Sequence, residues 1–238
     1  MTIHFVLMGK GGVGKSLVAS LIAQNLMTKG SDLYCADTDP TNATFHSYKA
    51  FAAQHINISA EDMSIDKSKF DALIEQLIEH PGDSVVDTGS SSFLPMMEYL
   101  KQNEVFGLFK THGRRAIIHA PLVGGQGMDE TIRGLNALLQ FDDVSIVVWA
   151  NENFGPVVKN GERFEHSKFF KTAGDRIVGV VNIVARSPDT FGQDMSLMTT
   201  KRLTFGEVMD SPDFRMMQRQ RLAVVQRDIN TQLDTLNI

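Results

Sequence analysis

Hydrophobic and polar residues along the chain form two alternating patterns. Short apolar runs are separated by longer segments in which apolar residues recur at helical spacing. The short runs predict strands over Ile3–Met8, Leu33–Ala36, Ser84–Val86, Ala116–Ala120, Val144–Ala150 and Ile177–Val184. The longer segments predict helices over Leu17–Leu26, Phe70–Ile78, Ile132–Leu139 and Leu222–Leu236. Strands that alternate with helices predict an α/β fold with a mainly parallel sheet and helices on both faces.

This pattern continues from end to end without a break. No linker, low-complexity tract or internal repeat divides the 238 residues, so we expect a single domain over residues 1–238. Polar segments at residues 59–69 and 151–165 are predicted loops whose composition suits a functional role. No run of about 18 consecutive apolar residues is present, so no membrane span is predicted. The apolar run Ile3–Met8 is too short for a secretory signal.

The first predicted strand leads directly into a glycine-rich motif. Residues 9–16 read Gly-Lys-Gly-Gly-Val-Gly-Lys-Ser and satisfy the P-loop pattern G-x-x-x-x-G-K-[ST] between a strand and a helix. Glycines let consecutive backbone N–H groups point at phosphate oxygens, and the N-terminus of the next helix adds partial positive charge. Lys15 is expected to reach the β- and γ-phosphates, and the Ser16 hydroxyl to ligate Mg²⁺. The predicted nucleotide-binding residues of this segment are Gly11, Gly12, Val13, Gly14, Lys15, Ser16 and Leu17.

Aspartates close the second and third predicted strands. Asp37 and Asp39 follow the second strand and Asp87 ends the third. Ligands gather at the carboxyl ends of strands in open α/β sheets, so these acids are expected to converge on the phosphates. Asp87 fits the Walker B role of holding Mg²⁺, Asp39 is a candidate to position the attacking water, and Asp37 is a further partner of Mg²⁺. An aspartate at a strand end is also a common turn former, and that alternative stays open.

The second lysine of the motif, Lys10, makes the sequence resemble one subclass of P-loop proteins. The motif is similar to the deviant Walker A signature of the family that includes the plasmid-partition protein ParA and the septum-positioning protein MinD. The resemblance implies a P-loop NTPase fold of the ParA/MinD type that hydrolyses ATP. It also implies a nucleotide-sandwich homodimer in which Lys10 crosses to the partner's phosphates, in the catalytic role of an arginine finger. A solvated loop lysine is the alternative.

A second resemblance covers most of the chain. Five stretches are similar to the family of plasmid proteins that contains the conjugal-transfer protein TraL and the stability ATPase StbB. They are Asp37–Phe45, Gly89–Phe93, Val147–Asn151, Arg202–Phe205 and Arg219–Leu222. The resemblance implies a role in plasmid conjugative transfer or maintenance, with a plasmid-encoded, DNA-bound or transfer-apparatus protein as partner. One departure is that Thr88-Gly89-Ser90 follows Asp87, where ParA proteins usually carry Asp-x-Pro-Pro.

The base of the nucleotide is predicted to be adenine. P-loop GTPases usually read guanine with [NT]-K-x-D, and the sequence contains no such tetrad. Related ATPases place an asparagine after a hydrophobic strand to hydrogen-bond adenine, and Asn151 has that position, with Asn153 as a second candidate. An asparagine that only forms a turn is the alternative. ATP and Mg²⁺ are therefore the predicted cofactors.

Composition narrows the function in two respects. The formal net charge is −5, whereas a duplex-DNA binder usually has a basic excess, so direct DNA binding is not favoured. The single cysteine, Cys35, excludes a multi-cysteine zinc or iron–sulfur site within one subunit, and we expect a cytoplasmic location. A local DNA-binding patch on a dimer stays open as an alternative, formed by Arg202, Arg215, Arg219, Arg221 and Arg227.

Three functions are compatible with these features. The leading interpretation is an ATP-driven dimeric switch. The γ-phosphate of ATP favours the closed dimer that binds a partner, and hydrolysis releases the partner. A nucleotide-stabilised scaffold with negligible turnover is the second, although it has no use for Asp39. A nonspecific DNA-binding partition ATPase is the third, and the acidic net charge disfavours it.

Overall fold

The computed structural model describes residues 1–58, 66–159 and 161–238 of the chain, so most of the loop predicted at residues 59–69 lies outside the described residues. The strands are β1 (Thr2–Val6), β2 (Leu33–Asp37), β3 (Gln54–His55), β4 (Asp83–Asp87), β5 (Arg115–Val123), β6 (Ser145–Asn151), β7 (Val158–Lys159), β8 (Glu162–Arg163) and β9 (Ile177–Ile183). The α-helices are α1 (Lys15–Thr28), α2 (Lys69–Glu79), α3 (Phe93–Gln102), α4 (Val105–Thr111), α5 (Met128–Leu138), α6 (Lys168–Ala173), α7 (Gln193–Thr200), α8 (Phe205–Asp210) and α9 (Met216–Thr235).

Seven strands form one sheet in the order β3-β2-β4-β1-β5-β6-β9, and each neighbouring pair in it is parallel. β7 and β8 form a separate antiparallel hairpin within the loop predicted at residues 151–165. β1 lies at the centre between β4 and β5, and its last residue, Val6, is in register with Asp87 and His119. The carboxyl ends of β1, β2, β4 and β6 therefore share one edge of the sheet, where ligands of open α/β sheets bind.

Helices cover both faces of the sheet. Successive residues of a strand point to opposite faces, so each strand contributes to two cores. Helices α2, α3, α4 and α5 pack on one face with Ile3 and Phe5 of β1. Helices α1, α7, α8 and α9 pack on the other face with Val6 and Trp149. The predicted α/β fold, with a mainly parallel sheet and helices on both faces, is confirmed.

The last helix belongs to the second of these layers. Its buried residues, Leu222, Val225, Ile229 and Leu233, lie in the same core as the apolar residues of α1. The apolar stripe that the sequence shows here is therefore a core-facing surface. In the part of the chain that the structure describes, no helix is long and apolar enough to cross a membrane.

Strand β5 runs past its predicted end at Ala120 and continues to Val123, through a proline. Pro121 cannot donate a hydrogen bond to a neighbouring strand. The carbonyl of His119 accepts from the backbone N–H of Leu7 at 3.1 Å, so the backbone groups of His119 face β1. Pro121 comes two residues later in the strand, so its backbone groups face the same side. Since β1 has already ended there, Pro121 removes no ladder bond. The sequence does not predict β3, because two residues show no alternation.

Hydrogen bonds link three buried rings on neighbouring strands, those of Trp149 on β6, His119 on β5 and His4 on β1. The Trp149 indole N–H donates to His119 Nδ1 at 2.9 Å, and His119 Nε2 lies 3.0 Å from His4 Nδ1. Because His119 Nδ1 accepts, we assign the proton to His119 Nε2, which then donates to His4. Burial lowers the pKa of His4 to about 4 and the pKa of His119 well below its ordinary value. Both rings are therefore neutral in the folded chain.

Acidification is expected to destabilise the fold through these two rings. The unfolded chain binds protons below pH 6.5 that the folded chain rejects, so the free energy of unfolding falls as the pH drops from 6.5 towards 4. The slope approaches about 1.4 kcal/mol per pH unit for each histidine. Urea unfolding at about pH 7.5 and about pH 5 measures this loss.

Variants separate this effect from other titrating groups. A His4→Gln/His119→Gln double variant is expected to lose less stability on acidification than the wild type. His112→Gln, which changes an exposed histidine on the same chain, should keep the wild-type loss. An equal loss in all three chains would contradict the assignment to the buried rings.

Candidate nucleotide-binding site

The loop between β1 and α1 has the backbone conformation of an anion site. Gly12 and Gly14 have φ angles of 75° and 95°, in the left-handed region that glycine adopts without strain. Gly9 packs closely on an aromatic ring, since a Cβ there would lie 2.9 Å from Phe93 Cδ1. Helix α1 begins at Lys15 and has no acidic residue in its first turn. Its free N–H groups and partial positive charge therefore remain available to a phosphate.

Lys15 is the buried cation of this site. The residue is only 8 % exposed, and its ammonium donates to the backbone oxygen of Lys10 across the loop at 3.2 Å. Burial lowers the pKa of Lys15, and the carboxylates of Asp87 and Asp39 raise it. An ammonium carries three donors, so Lys15 retains capacity for phosphate oxygens beyond this one carbonyl.

Asp87 ends β4 with a buried carboxylate. The residue is 1 % exposed, and in the described part of the chain neither of its oxygens has a hydrogen-bond partner. Burial, and then the charge of Asp37, raise the pKa of Asp87 to about 8, whereas the Ser16 hydroxyl and the Lys15 ammonium lower it. A buried carboxylate is costly unless a cation offsets it. Asp87 and Ser16 supply oxygen donors of the kind that Mg²⁺ prefers, so they fit that ion.

Asp37 and Asp39 shape the loop that follows β2. Asp37 is fully buried; its Oδ1 accepts from the Asp39 N–H at 2.9 Å and its Oδ2 from the His46 N–H at 3.0 Å. Burial raises the pKa of Asp37, and these backbone donors lower it. Asp39 Oδ1 accepts from the N–H groups of Thr41 at 2.9 Å and Asn42 at 3.1 Å, which is a turn-forming arrangement. Both oxygens of Asp37 are thus engaged by the backbone, which makes it a support of the loop in this structure.

The loops after β2 and β4 meet at the P-loop edge. A Cβ on Gly89 would lie 2.8 Å from the Asp39 carboxyl, and the Thr38 N–H donates to the Asp87 carbonyl at 2.9 Å. The structure therefore brings the predicted carboxylates together beside Lys15. Among the described residues, no group of three or more His, Cys, Asp or Glu side chains is arranged to hold a metal ion. Mg²⁺ commonly takes one or two carboxylates and completes its shell with phosphate oxygens and water.

Lys10 contacts an acidic residue of the same chain. Its Nζ lies 2.8 Å from Oε2 of Glu130 on α5, and its side chain is 35 % exposed. The stem passes Gly127, where an added Cβ would lie 3.6 Å from Lys10 Cε. Glu130, unlike Lys10, is not predicted from the sequence, because no local pattern connects two residues so far apart in the chain.

Asn151 ends β6 with both polar groups of its side chain engaged. Its Nδ2 donates to the Val13 carbonyl at 3.1 Å, and its Oδ1 accepts from the Asn153 N–H at 3.2 Å. An added Cβ on Gly14 would lie 3.0 Å from Asn151 Nδ2, so the side chain packs directly on the P-loop. This placement makes Asn151 a support of the loop and leaves Asn153, which is exposed, as the better placed of the two candidates for a base contact.

A cavity of about 390 Å³ opens beside the first turn of α1. It is lined by the apolar side chains of Leu17, Ile183 and Phe191 and by the polar side chains of Asn153 and Arg186. A π-helical turn over Pro188–Gly192 places Phe191 there, and such turns are frequent at functional sites. An apolar pocket with a few polar groups beside a phosphate loop has the character of a base-binding site. Leu17 and Asn153 are predicted from the sequence, whereas Ile183, Arg186 and Phe191 are not.

Three arginines of the alternative DNA patch bond other groups of the same chain. Arg221 Nε bonds the buried carboxylate of Asp194 at 2.6 Å. Arg219 donates to the Ser211 carbonyl at 2.9 Å, and Arg202 to the Thr199 carbonyl at 2.7 Å. The first two contacts join α9 to α7 and to the end of α8, and the third closes the end of α7, so three of the five arginines already bond groups within the chain.

The chain is similar over nearly its full length to two proteins of known family. No protein-family model matches the chain. Protein TraL of Escherichia coli is 41 % identical over 234 residues, which cover 98 % of this chain and 97 % of that protein. The chain belongs to the TraL family. A second TraL of Escherichia coli is 39 % identical with the same coverage of both proteins. The resemblance to the TraL family that the sequence indicates is therefore confirmed.

Solved structures share the fold of this TraL-family chain. A chain of the MinC:MinD cell division protein complex from Aquifex aeolicus matches with a TM-score of 0.53 and 14 % identity, over 95 % of this chain and 94 % of that one. A putative plasmid partition protein from Borrelia burgdorferi B31, bound to AMPPNP, matches with a TM-score of 0.51 and 14 % identity, over 95 % and 97 %. At this identity the likeness shows the fold alone, an α/β P-loop NTPase fold of the ParA/MinD type.

Proposed function

We propose that the chain is an ATPase that uses Mg²⁺ and works as a nucleotide-gated homodimer in plasmid conjugative transfer or maintenance. The observation that carries the proposal is the buried, unpaired carboxylate of Asp87 beside Lys15 and Ser16. A cation would compensate the carboxylate of Asp87, an anion would compensate Lys15 and the N–H groups of the P-loop, and a metal–nucleotide complex supplies both. The AMPPNP bound to the partition protein of similar fold supports the choice of an adenine nucleotide.

In this proposal the P-loop binds the phosphates of ATP. The backbone N–H groups of residues 11–17 and the N-terminus of α1 hold the phosphate oxygens, and Lys15 turns from the Lys10 carbonyl to the β- and γ-phosphates. Ser16 and Asp87 would hold Mg²⁺, which neutralises charge on the phosphate oxygens. The base occupies the cavity beside Leu17, with Asn153 as its polar contact.

Hydrolysis requires a positioned water, and Asp39 is the residue we assign to it. Asp39 lies in the loop after β2 and touches the loop after β4 at Gly89, so its carboxylate faces the P-loop edge. Asp37 holds this loop through two backbone hydrogen bonds. A switch that turns over needs such a residue, which distinguishes it from a scaffold that only binds nucleotide.

The cellular role follows from membership of the TraL family. We propose that one domain of residues 1–238 dimerises on ATP in the cytoplasm. The dimer then engages a plasmid-encoded protein that is bound to DNA or to the transfer apparatus. The Lys10 side chain is 35 % exposed next to the P-loop, where a second subunit can reach it. The γ-phosphate of ATP must supply the difference in affinity between the dimer and the free chains.

A thermal-shift measurement tests nucleotide binding and base choice. ATP·Mg²⁺ at about 100 times its Kd is expected to stabilise the fold by about 2.7 kcal/mol. For a chain of this size that corresponds to a rise in Tm of about 5–10 °C. GTP·Mg²⁺ at the same concentration should give a smaller rise, because the polar contact to the base is assigned to adenine.

Asparagine variants make the base assignment specific. Asn153→Ala should reduce the difference between ATP and GTP, whereas Asn136→Ala, an exposed asparagine on α5, should leave it unchanged. Equal shifts for both nucleotides in the wild type would remove the adenine assignment. No shift with either nucleotide would overturn the proposed function as a whole.

A further inference from the structure

The ion pair between Lys10 and Glu130 joins the P-loop to the first turn of α5. Lys10 lies in the P-loop, and Glu130 lies in the first turn of α5, which begins at Met128. Their charged atoms are 2.8 Å apart. The start of α5 packs closely on the end of β5 and on the stem of Lys10, since a Cβ on Gly127 would lie 2.7 Å from Val123 Cγ2 and 3.6 Å from Lys10 Cε.

The same ammonium is assigned a different position in the active dimer. In the proposed function Lys10 reaches the phosphates of the partner subunit, so it has to leave Glu130 first. A carboxylate and a phosphate compete for one ammonium, and each dimer breaks two such pairs because its two subunits are equivalent. The strength of the internal pair therefore opposes the formation of the dimer.

We infer that Glu130 is a positioning residue that holds Lys10 in its own subunit and thereby raises the ATP and protein concentrations needed for dimerisation. The inference rests on the proposed function, because it assigns a role to Lys10 before and after dimerisation. Glu130 touches neither the nucleotide nor the reacting atoms in this scheme. It acts only through Lys10: the ion pair favours the free subunit until the phosphates of ATP on a partner replace Glu130 as the contact of the lysine.

The size of the effect follows from the exposure of the pair. The Lys10 and Glu130 side chains are 35 % and 51 % exposed, so solvent screens their attraction. Pairs of this kind alter an equilibrium by about two- to fivefold. With two pairs broken in each dimer, Glu130→Gln is expected to lower the dimer Kd by about four- to 25-fold.

Analytical ultracentrifugation of the full chain with AMPPNP·Mg²⁺ measures this Kd without hydrolysis. The matched control is Asp234→Asn, which breaks the Lys29–Asp234 pair at 2.9 Å, with side chains 38 % and 56 % exposed, at the far end of α1. Glu130→Gln should tighten the dimer, and Asp234→Asn should not. With ADP all three chains should stay monomeric. The affinity of the monomer for AMPPNP, measured well below the dimer Kd, should be the same in all three.

The outcomes separate the inference from the proposal beneath it. If the wild type dimerises and Glu130→Gln dimerises equally or less tightly, the role of Glu130 is wrong and the dimeric switch stands. A dimer that forms only in Glu130→Gln supports the inference strongly. If no chain dimerises with AMPPNP·Mg²⁺, the proposed dimer fails and the inference fails with it.

Discussion

Lys15→Ala is expected to abolish ATP hydrolysis and to weaken ATP binding by about 10- to 100-fold, the effect of removing a charged hydrogen-bond donor from a phosphate. The residue is 8 % exposed, so water cannot easily replace the lost ammonium. Its charge also faces Asp87 and Asp39, which would otherwise repel the phosphates. Isothermal titration with ATP·Mg²⁺ measures the loss of affinity, and phosphate release measures the loss of turnover.

The loss should be specific to this lysine. Lys171→Ala removes an exposed lysine of α6 and should leave both affinity and turnover unchanged. Circular dichroism of the two variants checks that each is folded. If folded Lys15→Ala binds ATP·Mg²⁺ with wild-type affinity, the P-loop does not hold the phosphates and the site must be elsewhere.

The P-loop was open to prediction from sequence because its residues encode its conformation directly. Gly12 and Gly14 have positive φ angles in the structure, and a glycine at such a position in a G-x-x-x-x-G-K-[ST] pattern has few other uses. The aspartates after β2 and β4 were predictable for a related reason. Parallel strands end at the same edge of a sheet, so strand order alone brings Asp37 and Asp87 into register.

The base cavity and the contacts of Asn151 were not predictable in this way. The cavity combines Leu17 with residues more than 160 positions later, and only the packing of β9 and α7 against α1 brings them together. Asn151 has the position of a base reader in the sequence, yet its amide is engaged by Val13 and by the Asn153 N–H. A side chain that satisfies buried backbone groups leaves no periodic pattern in the sequence.

Lys10→Ala is expected to bind ATP nearly normally and to lose both ATP-dependent dimerisation and turnover. Within one subunit the phosphates already have the backbone N–H groups of the loop and Lys15. The Lys10 ammonium lies on Glu130 instead, at 2.8 Å. Across an interface it can neutralise charge that develops on the transferred phosphoryl group, where residues supplied in trans are worth about 10³–10⁵ in rate. Light scattering and phosphate release measure the two losses, and ATP titration the retained affinity.

A mixing experiment tests whether one site is built from two subunits. Asp39→Ala subunits are expected to bind ATP and dimerise without hydrolysis, because they keep Lys10 and lack the residue that positions water. In a mixed dimer, the site on the Lys10→Ala subunit has its own Asp39 and receives Lys10 from the partner. Each mixed dimer has one complete site of two. ATPase activity of about half the wild-type rate per mixed dimer is therefore expected from two inactive variants.

The two variants must fail separately for the mixture to be informative. Each alone should show only background turnover at the same total protein concentration, and the recovered activity should rise and fall with the ratio of the two chains, with its maximum at equal amounts. Mixing Asp39→Ala with Lys15→Ala is the matched control. Both residues act in the site of their own subunit, so no mixed dimer of these variants has a complete site and no activity should return. If Lys10→Ala alone hydrolyses ATP at the wild-type rate, Lys10 has no role in trans, and an ordinary P-loop protein whose chemistry stays within one subunit replaces the dimeric switch.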